Sequence, residues 1–345
     1  MKTDIKVDLR SDTVTLPTQP MLAAMMQAQV GDDVFGEDPT VKNLENKMAR
    51  MFGKEAGIFC PSGTMTNQIA IRLHTQQGDE VICHREAHVY KYEGGGIAVN
   101  SQASVRLLDG KFGKISEEDV NKNINNPNDI HLPITRLVCI EDSTNRGGGN
   151  YYSMENIAAI SAVCKEQELA FHLDGARVFN ALVETGYDYK EYGQHFDTIS
   201  ICLSKGLGAP VGSVLIGSKE HINKAKRIRK VLGGGMRQAG YLAAAGIYAL
   251  DNHIERLKED HARAKTIAML LENSGFVEDI FPVKTNIVIF KLNNKYSESI
   301  FVEKLKEKNI LALPFGPSLV RIVTHLGIND AMIDHLQNSL EELKI

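Results

Sequence analysis

Two motifs place charged side chains directly after apolar runs that are typical of buried strands. Asp174 and Arg177 follow the run 169–173, and Lys205 follows the run 198–203. Charged groups at the ends of buried parallel strands lie at the carboxyl edge of an α/β sheet, where ligands bind. We therefore expect Asp174, Arg177 and Lys205 to meet in one cleft. An acid, a guanidinium and an amine held together suit a cofactor that reacts with amines better than a hydride carrier.

Each of these residues also has an ordinary structural interpretation. A lysine after a strand is most often solvated, an Asp-Gly pair is a common turn, and Arg177 could form a surface ion pair. His172 and Asp174 could instead be two ligands of a metal site. The neighbourhood of Lys205 favours a functional interpretation, because a serine precedes it and the segment 206–208 lets the backbone approach another molecule closely.

The two motifs resemble those of the threonine aldolases, and further motifs of that family follow in order along nearly the whole chain. They are the segments 8–15, 31–39, 61–64, 87–88, 233–238 and 320–325. The resemblance implies the transferase-like fold of enzymes that depend on pyridoxal 5'-phosphate (PLP), known as fold type I. This is an α/β fold, with a large domain built on a mostly parallel sheet and a small C-terminal α+β domain.

Hydrophobic patterning predicts a sheet of the same kind between residues 57 and 216. Strand-like runs alternate there with helical segments, which favours a mostly parallel sheet covered on both faces. The runs are 57–60, 80–83, 136–140, 169–173, 198–203 and 211–216, and the main helical segments are 64–76 and 153–168. Before them we expect an extended arm over residues 1–20, a helix near 21–29 and a helix that starts at Asp38.

The pattern changes after a long helical region at about 236–272 and then predicts a small α+β unit. The parts of this unit are strand-like runs at 286–290 and 319–323, a charged helix at 297–308 and a final helix. We place the domain boundary near residue 250. The predicted domains are therefore 1–250, which includes the arm, and 251–345.

Composition limits the classes of partner. The formal net charge is −4 over 345 residues without a basic block, so nucleic acid and anionic membranes are poor partners. The five cysteines form no C-x-x-C pair and lie in apolar runs, as buried thiols of a reducing cytosol do. Neither a signal peptide nor an apolar run of membrane-spanning length is evident, so we expect a cytoplasmic protein.

Three residues carry the cofactor chemistry that the resemblance implies. Lys205 is expected to hold PLP as a Schiff base, and Asp174 to pair with the pyridine nitrogen and keep it protonated. The family residue that matches His88 stacks on the cofactor ring and is a candidate base. Taken alone, His88 would more often be a buried structural histidine. We expect no metal ion at this site.

The segment Pro61-Ser62-Gly63-Thr64 opens a helix directly after the first core strand. Backbone N–H groups and the helix dipole favour an anion there, and the small side chains permit close approach. From this stretch alone a plain N-cap turn is an equal alternative. Alongside Lys205, the residues Ser62, Gly63 and Thr64 form the expected phosphate cup.

A second glycine-rich run, 233–235, precedes Arg237. By resemblance it contributes contacts to phosphate or carboxylate, across a subunit boundary, and Lys230 is an auxiliary there. A solvated helix face is the alternative for Lys230.

The substrate carboxylate needs fixed donors. Arg177 and Arg321 are the candidates, because a guanidinium can grip a carboxylate with two hydrogen bonds. Arg177 also counts among the expected cofactor-binding residues. By resemblance, Ser11 adds a hydrogen bond to the substrate, and His131 is a second histidine near the substrate hydroxyl.

The resemblance implies retro-aldol cleavage of L-threonine or L-allo-threonine to glycine and acetaldehyde. His88, His131 or a water that they hold would take the β-hydroxyl proton. Family members are homotetramers, built as dimers of dimers whose sites use both subunits, and we expect that assembly here. There are two alternatives. The same scaffold could catalyse a β-elimination or a transamination, or the protein could bind small molecules without catalysis.

Two departures from the family pattern bear on this expectation. Phe35 stands where a tyrosine is common, which removes a hydroxyl near the substrate region. The segment 141–145 reads Glu-Asp-Ser-Thr-Asn, where the family reads Glu-Asn-Thr-His at its start. This difference bears on discrimination between threonine and its allo epimer.

Overall fold

The computed structural model describes residues 6–343, so the first five residues of the predicted arm and the last two of the predicted small domain lie outside the described residues. The strands are β1 (Val7–Asp8), β2 (Ala56–Cys60), β3 (Glu80–His84), β4 (Ser104–Leu108), β5 (Thr135–Glu141), β6 (Ala170–Gly175), β7 (Thr198–Cys202), β8 (Ser213–Gly217), β9 (Val277–Ile280), β10 (Ile287–Leu292), β11 (Ile310–Leu311), β12 (Leu313–Gly316) and β13 (Leu319–Val323). The helices are α1 (Gln19–Met26), α2 (Pro39–Met51), α3 (Gly63–His74), α4 (His88–Lys91), α5 (Glu117–Lys122), α6 (Met154–Glu166), α7 (Val178–Thr185), α8 (Tyr189–Gly193), α9 (Lys219–Val231), α10 (Gly240–Asn252), α11 (Leu257–Glu272), α12 (Glu298–Glu307) and α13 (Asp330–Glu342). Within residues 6–343, each helix is too short or too polar to span a lipid bilayer.

Seven strands form the main sheet, in the order β2-β8-β7-β6-β5-β3-β4. Neighbours are parallel except at β8, which runs antiparallel to both β2 and β7. The prediction of a mostly parallel sheet is therefore confirmed. Every residue of β7 and β8 is buried, which explains why these strands appear in the sequence as continuous apolar runs rather than as alternating patterns.

Helices cover both faces of this sheet. The largest hydrophobic cluster packs one face against α2, α6, α7 and α10, and two smaller clusters pack the other face against α3 and α9. Asp38 starts α2 as predicted, because its carboxylate accepts the backbone N–H groups of Thr40 and Val41. The covered sheet is a rigid base for side chains at its carboxyl edge.

A second, four-stranded antiparallel sheet follows, in the order β12-β13-β10-β9. One hydrophobic cluster joins it to α11, α12 and α13. The small α+β unit predicted after the long helical region is therefore present. The domain boundary near residue 250 stays a prediction. The main cluster reaches to Leu257, and α11 enters the second cluster at Ala264.

The described part of the N-terminal arm lies against the second sheet. Val7 pairs with Ile310 between β1 and β11, and the backbone N–H of Leu9 donates to the carbonyl of Leu311 at 2.8 Å. The backbone N–H of Val323 donates to the carbonyl of Leu9 at 2.9 Å. From there the arm continues towards the carboxyl edge of the main sheet.

Two differences from the patterns expected concern the long helical region and the edge of the main sheet. The helical region at 236–272 is two helices, which break at residues 253–256 where the Nδ1 of His253 lies 2.7 Å from the carbonyl oxygen of Leu207. The edge strand β4 was not predicted, since Arg106 interrupts it and only Leu108 is buried.

Candidate active site

One cavity of about 430 Å³ contains five of the predicted site residues. The arm, the loops at the carboxyl edge of the main sheet and the second sheet all contribute to its walls. The predicted residues are Ser11, His88, Arg177, Lys205 and Arg321, and the other lining residues are Thr13, Tyr92, Asn145, Arg146, Leu313, Pro314 and Phe315. Of the three residues expected to meet in one cleft, Arg177 and Lys205 line this cavity and Asp174 does not.

Asp174 lies behind this cavity, near the end of β6. It pairs in register with Glu141 on β5 and with Ser200 on β7, so it occupies the middle of the carboxyl edge. Its Oδ1 accepts the backbone N–H of Ala176 at 3.1 Å, whereas its Oδ2 is buried and has no hydrogen-bond partner within residues 6–343. A buried carboxylate oxygen without a donor is costly, so this atom fits a ligand that brings an N–H group.

The amine of Lys205 is the second group without a partner. Its Nζ forms no hydrogen bond or ion pair with any residue from 6 to 343, although its backbone carbonyl accepts the hydroxyl of Thr15 at 3.1 Å. The side chain is only partly buried and faces the cavity. Such an amine is available to form a bond with a carbonyl group of a ligand.

Arg177 is held by Asp12, a residue that the sequence did not single out. The Nε of Arg177 donates to Oδ2 of Asp12 at 2.8 Å and its Nη2 donates to Oδ1 at 2.7 Å. Burial raises the pKa of Asp12, but the charge and hydrogen bonds of Arg177, with the charge of Lys205 and a hydrogen bond from Asn286, lower it to about 2. The carboxylate that Arg177 binds within this chain is that of Asp12, and its contact with a substrate carboxylate stays a prediction.

Arg321 is a buried cation with spare hydrogen-bonding capacity. Its Nη1 donates to the side-chain oxygen of Asn145 at 2.8 Å and its Nη2 to the carbonyl of Arg10 at 3.0 Å. Its Nε is buried without a partner, and no carboxylate among residues 6–343 pairs with it. Burial, followed by the charge of Arg177, lowers the pKa of Arg321 to about 10. The guanidinium therefore fits the carboxylate of a ligand.

His88 starts α4 and is fixed at two points. Its backbone N–H donates to Oε2 of Glu141 at 3.2 Å, and its ring Nδ1 lies 2.9 Å from Oε1 of Glu93. Burial lowers the pKa of His88, but the hydrogen bond of Glu93 and the charges of Asp174, Glu93 and Glu141 together raise it above its ordinary value. The ring of Tyr92 lies 5.7 Å from that of His88.

A metal ion is a poor fit to these acids and histidines. One ligand atom each from His88, Glu93 and Asp174 lies within 4.8 Å of the others, but His88 and Glu93 are already hydrogen-bonded to one another. The alternative metal pair, His172 and Asp174, fails because the ring nitrogens of His172 lie 2.9 Å from the hydroxyl of Thr198 and 3.2 Å from an amide oxygen. Both nitrogens are therefore engaged.

Ser62, Gly63 and Thr64 start α3 beside the end of β7. The hydroxyl of Ser62 accepts the backbone N–H of Met65 at 3.2 Å, as an N-cap does. A Cβ atom at Gly63 would lie 2.5 Å from Sγ of Cys202, so the close approach of helix and strand requires glycine. These residues do not line the Lys205 cavity. Their role as a phosphate cup stays a prediction, and the start of a 12-residue helix has the donors that it needs.

Lys230 and Arg237 lie away from Lys205 in the same chain. Lys230 lines a second cavity of about 370 Å³ together with Phe35, and the ring of Phe35 is 5.8 Å from the guanidinium carbon of Arg237. Arg237 forms an ion pair with Asp32 at 2.8 Å. None of these three residues lines the cavity of Lys205. If Lys230 and Arg237 contact the cofactor, or Phe35 affects the substrate, they would do so in the site of another subunit.

His131 is also absent from the site of its own chain. It precedes β5 and therefore lies at the amino end of that strand, whereas the cavity is at the carboxyl edge. Its side chain is 85% exposed, and its Nδ1 lies 2.9 Å from Oδ1 of Asp129. A role of His131 near the substrate stays a prediction that requires a second subunit.

The segment that departs from the family pattern contributes Asn145 to the cavity. Glu141 accepts the backbone N–H of Asn145 at 2.9 Å, and Asn145 in turn orients Arg321. Thr144, which stands where the family has histidine, is buried, and its hydroxyl donates to the carbonyl oxygen of Phe112 at 2.9 Å. The departure at Thr144 therefore lies outside the cavity wall.

Asp12 and Glu93, which hold Arg177 and His88, are among the site residues that the sequence did not identify. Asp12 directly follows Ser11 in the motif 8–15, and Glu93 lies five residues after His88. Proximity to a predicted residue was thus the only signal in the sequence.

Comparison with known proteins identifies the family of the chain. The sequence profile of the beta-eliminating lyase family matches residues 8–295. Over 324 residues the chain is 43% identical to the low specificity L-threonine aldolase of Escherichia coli (strain K12), which covers 94% of this chain and 95% of that protein. It is 39% identical over 343 residues to the probable low-specificity L-threonine aldolase 2 of Arabidopsis thaliana, with 98% and 97% covered.

Solved structures have the same fold. The threonine aldolase of Leishmania major matches with a TM-score of 0.85 at 21% identity, over 97% of this chain and 99% of that one. A serine palmitoyltransferase of Sphingomonas wittichii matches with a TM-score of 0.76 at 16% identity, over 98% and 86%. The predicted fold type I is therefore confirmed. The chain belongs to the beta-eliminating lyase family and to the threonine aldolases within it.

Proposed function

We propose that this protein is a PLP-dependent aldehyde-lyase that cleaves L-threonine and L-allo-threonine to glycine and acetaldehyde by a retro-aldol reaction. The observation that carries the proposal is one cavity in which the unpartnered amine of Lys205 and the buried guanidinium of Arg321 face the same space. The similarity to L-threonine aldolases over nearly the whole chain supports this reaction class.

The residues present fit PLP. The buried Oδ2 of Asp174 lacks a donor within residues 6–343, and a protonated pyridine nitrogen would supply one. Lys205 would hold the cofactor through its amine, and the N–H groups at the start of α3 would hold the phosphate. When bound, PLP supplies an electron sink for the bond that is cleaved at the substrate Cα.

Arg321 would orient the amino-acid substrate by its carboxylate. The guanidinium is already held by Asn145 and by the Arg10 carbonyl. Substrate binding therefore has little side-chain freedom left to remove. Ser11 lines the same cavity and could add a hydroxyl contact. Arg177 keeps its Nη1 for ligands, because Asp12 engages its Nε and Nη2.

His88 would take the proton of the β-hydroxyl group. It lines the cavity with Lys205, and only its Nδ1 is engaged by another side chain. The second ring nitrogen is therefore the one that can accept a proton. His131 of another subunit, or a water, is the remaining candidate for this step.

We also propose a cytoplasmic homotetramer built from dimers. Several large apolar side chains are exposed on the single chain, as expected of surfaces that neighbouring subunits cover. They include Leu16, Met26, Phe35, Val99 and Ile130. Five buried cysteines, all free, fit a reducing compartment. Light scattering of the purified protein tests the assembly.

A product assay with the four stereoisomers of threonine tests the reaction. We expect acetaldehyde and glycine from the two L forms and neither product from the two D forms. Release of ammonia with a keto acid would instead identify β-elimination, and transfer of the amino group would identify transamination. Cleavage of the D forms would contradict the proposal.

The variant Lys205→Ala tests the site itself. The wild type should be yellow with bound PLP and bleach with borohydride, and the variant should lose both properties and all activity. A matched control is Lys47→Ala, since Lys47 forms an ion pair with Asp251 at a distance from this cavity. A non-catalytic binder would bind amino acids in both variants without releasing a product.

A further inference from the structure

We infer that Glu93 is a positioning residue, which fixes the ring of His88 in the tautomer and orientation that present Nε2 to the cavity. This inference rests on the proposed function, in which His88 takes the proton of the substrate hydroxyl.

The carboxylate of Glu93 has three donors. Its side chain has no exposed surface, and its Oε1 lies 2.9 Å from Nδ1 of His88. The same Oε1 accepts the side-chain amide of Asn67 at 2.8 Å, and its Oε2 accepts that of Gln68 at 2.6 Å. A carboxylate can only accept, so the proton of a neutral His88 lies on Nδ1. Its Nε2 therefore keeps the lone pair.

The amides of Asn67 and Gln68 each have a second neighbour besides Glu93. The side-chain oxygen of Asn67 lies 3.2 Å from Nε2 of His172, whose Nδ1 lies 2.9 Å from the hydroxyl and 3.1 Å from the carbonyl oxygen of Thr198. The side-chain oxygen of Gln68 accepts the amide of Asn100 at 3.3 Å. Because the Glu93 carboxylate can only accept, both amides present N–H groups to it.

Close packing limits any rearrangement of this network. Glu93, Asn67 and Gln68 are all buried, and a Cβ atom at Gly96 would lie 2.5 Å from the side-chain amide carbon of Gln68. A buried carboxylate without its donors is costly, so the network has one stable arrangement. Rotation of the His88 ring would break the Nδ1 contact and leave Oε1 with a single donor. The buried network of Glu93, Asn67 and Gln68 therefore fixes the orientation of the His88 ring.

The carboxylates around His88 raise its pKa, as the hydrogen bond from its ring to Glu93 also does. Three carboxylates face it, namely Glu93 and, from neighbouring strands, Asp174 and Glu141. The cations that share its cavity are Lys205, Arg146, Arg177 and Arg321, and the phenol of Tyr92 lies beside its ring. Burial lowers the pKa of His88 and the carboxylates raise it, with the Glu93 hydrogen bond as the largest raising effect.

Glu141 also touches His88 but acts differently. It accepts the backbone N–H of His88 at 3.2 Å and that of Asn145 at 2.9 Å, so it fixes the start of α4 rather than the ring. Glu141→Gln is thus a matched control, because it removes a buried negative charge near the same histidine without touching Nδ1. Glu93→Asp keeps the charge but shortens the side chain by one methylene.

The experiment compares holoenzyme of the wild type, Glu93→Gln, Glu93→Asp and Glu141→Gln. Exchange of the ring C2 proton for deuterium, followed by peptide mass spectrometry over a pH series, gives the pKa of His88 without any turnover. In parallel, kcat and KM for acetaldehyde release from L-threonine are measured over the same pH range. Thermal unfolding and the cofactor spectrum identify variants that have not folded.

We expect Glu93→Gln to lower the pKa of His88 and to move the acid limb of kcat/KM to lower pH. Its kcat should fall roughly 100-fold, the lower end of what general base catalysis contributes, while KM changes little. Glu93→Asp should keep the pKa near the wild-type value and recover part of kcat. Glu141→Gln should lower the pKa of His88 less than Glu93→Gln does.

An unchanged pKa of His88 in Glu93→Gln, or an equal fall in Glu141→Gln, would overturn the inference. So would a loss that appears in KM alone. If the wild type releases no acetaldehyde but the pKa of His88 still falls in Glu93→Gln, the control of His88 by Glu93 is supported and the proposed function fails. If acetaldehyde is released and Glu93→Gln has the wild-type profile, the proposed function stands and the inference fails.

Discussion

Replacing Asp12 by asparagine removes the charge that holds Arg177. The two side chains form a bidentate pair with N–O distances of 2.8 and 2.7 Å, and their exposed fractions are 0% and 5%. Asn286 donates to the same carboxylate at 3.3 Å. Asparagine has nearly the same shape, but its amide nitrogen cannot accept a hydrogen bond. One donor of Arg177 and its whole positive charge therefore lose their partner.

Burial and the pKa of Asp12 give the size of the effect. Burial raises this pKa, but Arg177 and Lys205 lower it from 3.8 to about 2, and a shift of that size corresponds to about 2 kcal/mol of stability. Removing one partner of a buried pair costs roughly 3–5 kcal/mol, because the other charge stays buried. We expect Asp12→Asn to lower the free energy of unfolding by about 3 kcal/mol, since the amide keeps part of the hydrogen bonding.

The same pair predicts a dependence on pH. The pKa of Asp12 is lower in the folded protein than in the unfolded chain, so its stabilisation is complete above about pH 4 and is lost as the pH falls through about 2. The wild type should lose about 2 kcal/mol from this group over that interval. Asp12→Asn has no such group and should lack this part of the acid destabilisation.

Urea denaturation at one protein concentration, with PLP in excess, measures both effects. The control is Asp109→Asn, which breaks the exposed ion pair between Arg85 and Asp109 and should leave the midpoint unchanged. If Asp12→Asn unfolds at the same urea concentration as the wild type near pH 7, the reasoning is refuted. An Asp109→Asn variant that is destabilised as much as Asp12→Asn would refute it as well.

Three further predictions follow from single contacts. Burial raises the pKa of Asp142 to about 7, so the folded protein holds a proton there that the unfolded chain releases near pH 4. Stability should therefore fall as the pH rises from about 4 to about 7, and Asp142→Asn should flatten this part of the thermal unfolding curve against pH. Gly63→Ala would put a Cβ atom 2.5 Å from Sγ of Cys202 and so displace the start of α3, and a titration of cofactor absorbance should show weaker binding of PLP. Arg321→Leu should raise KM for L-threonine about 100-fold, as loss of a charge-assisted hydrogen bond does, with the cofactor spectrum unchanged. Asn145→Ala, which removes the acceptor 2.8 Å from Arg321, should raise KM less, and an equal rise would contradict the role given to Arg321.

The inner strands of the main sheet could be predicted because helices cover both of their faces. A strand of that kind needs apolar residues throughout, so the run 198–203 stands out in the sequence. The edge strand β4 gave no such signal, since Arg106 lies within it. The break in the helical region at 236–272 was also missed. It coincides with the contact of His253 with the carbonyl of Leu207, and a contact 46 residues away leaves no periodic pattern.

In the site, too, features that depend on nearby residues could be predicted and contacts between distant residues could not. Lys205, Arg177 and Asp174 could be predicted because a position after a strand determines the edge of the sheet on which a side chain lies. The partner of Arg177 could not, because Asp12 is 165 residues away. Residues such as His131 have no place in the cavity of their own chain, so no pattern within one chain can say where they act.

The arm connects the two parts of the site. Arg321 comes from the second sheet and Lys205 from the loop after β7, so the cavity exists only while the two sheets keep their relative positions. The arm is hydrogen-bonded to both, since Leu9 accepts the N–H of Val323 in the second sheet and Thr15 donates to the carbonyl of Lys205 at 3.1 Å. Between these contacts Asp12 binds Arg177, which follows β6 of the main sheet, and Asn286, which precedes β10 of the second. A short segment near the N-terminus thus carries a fully buried aspartate that fixes Arg177, while Thr15, three residues further on, bonds to the backbone of Lys205.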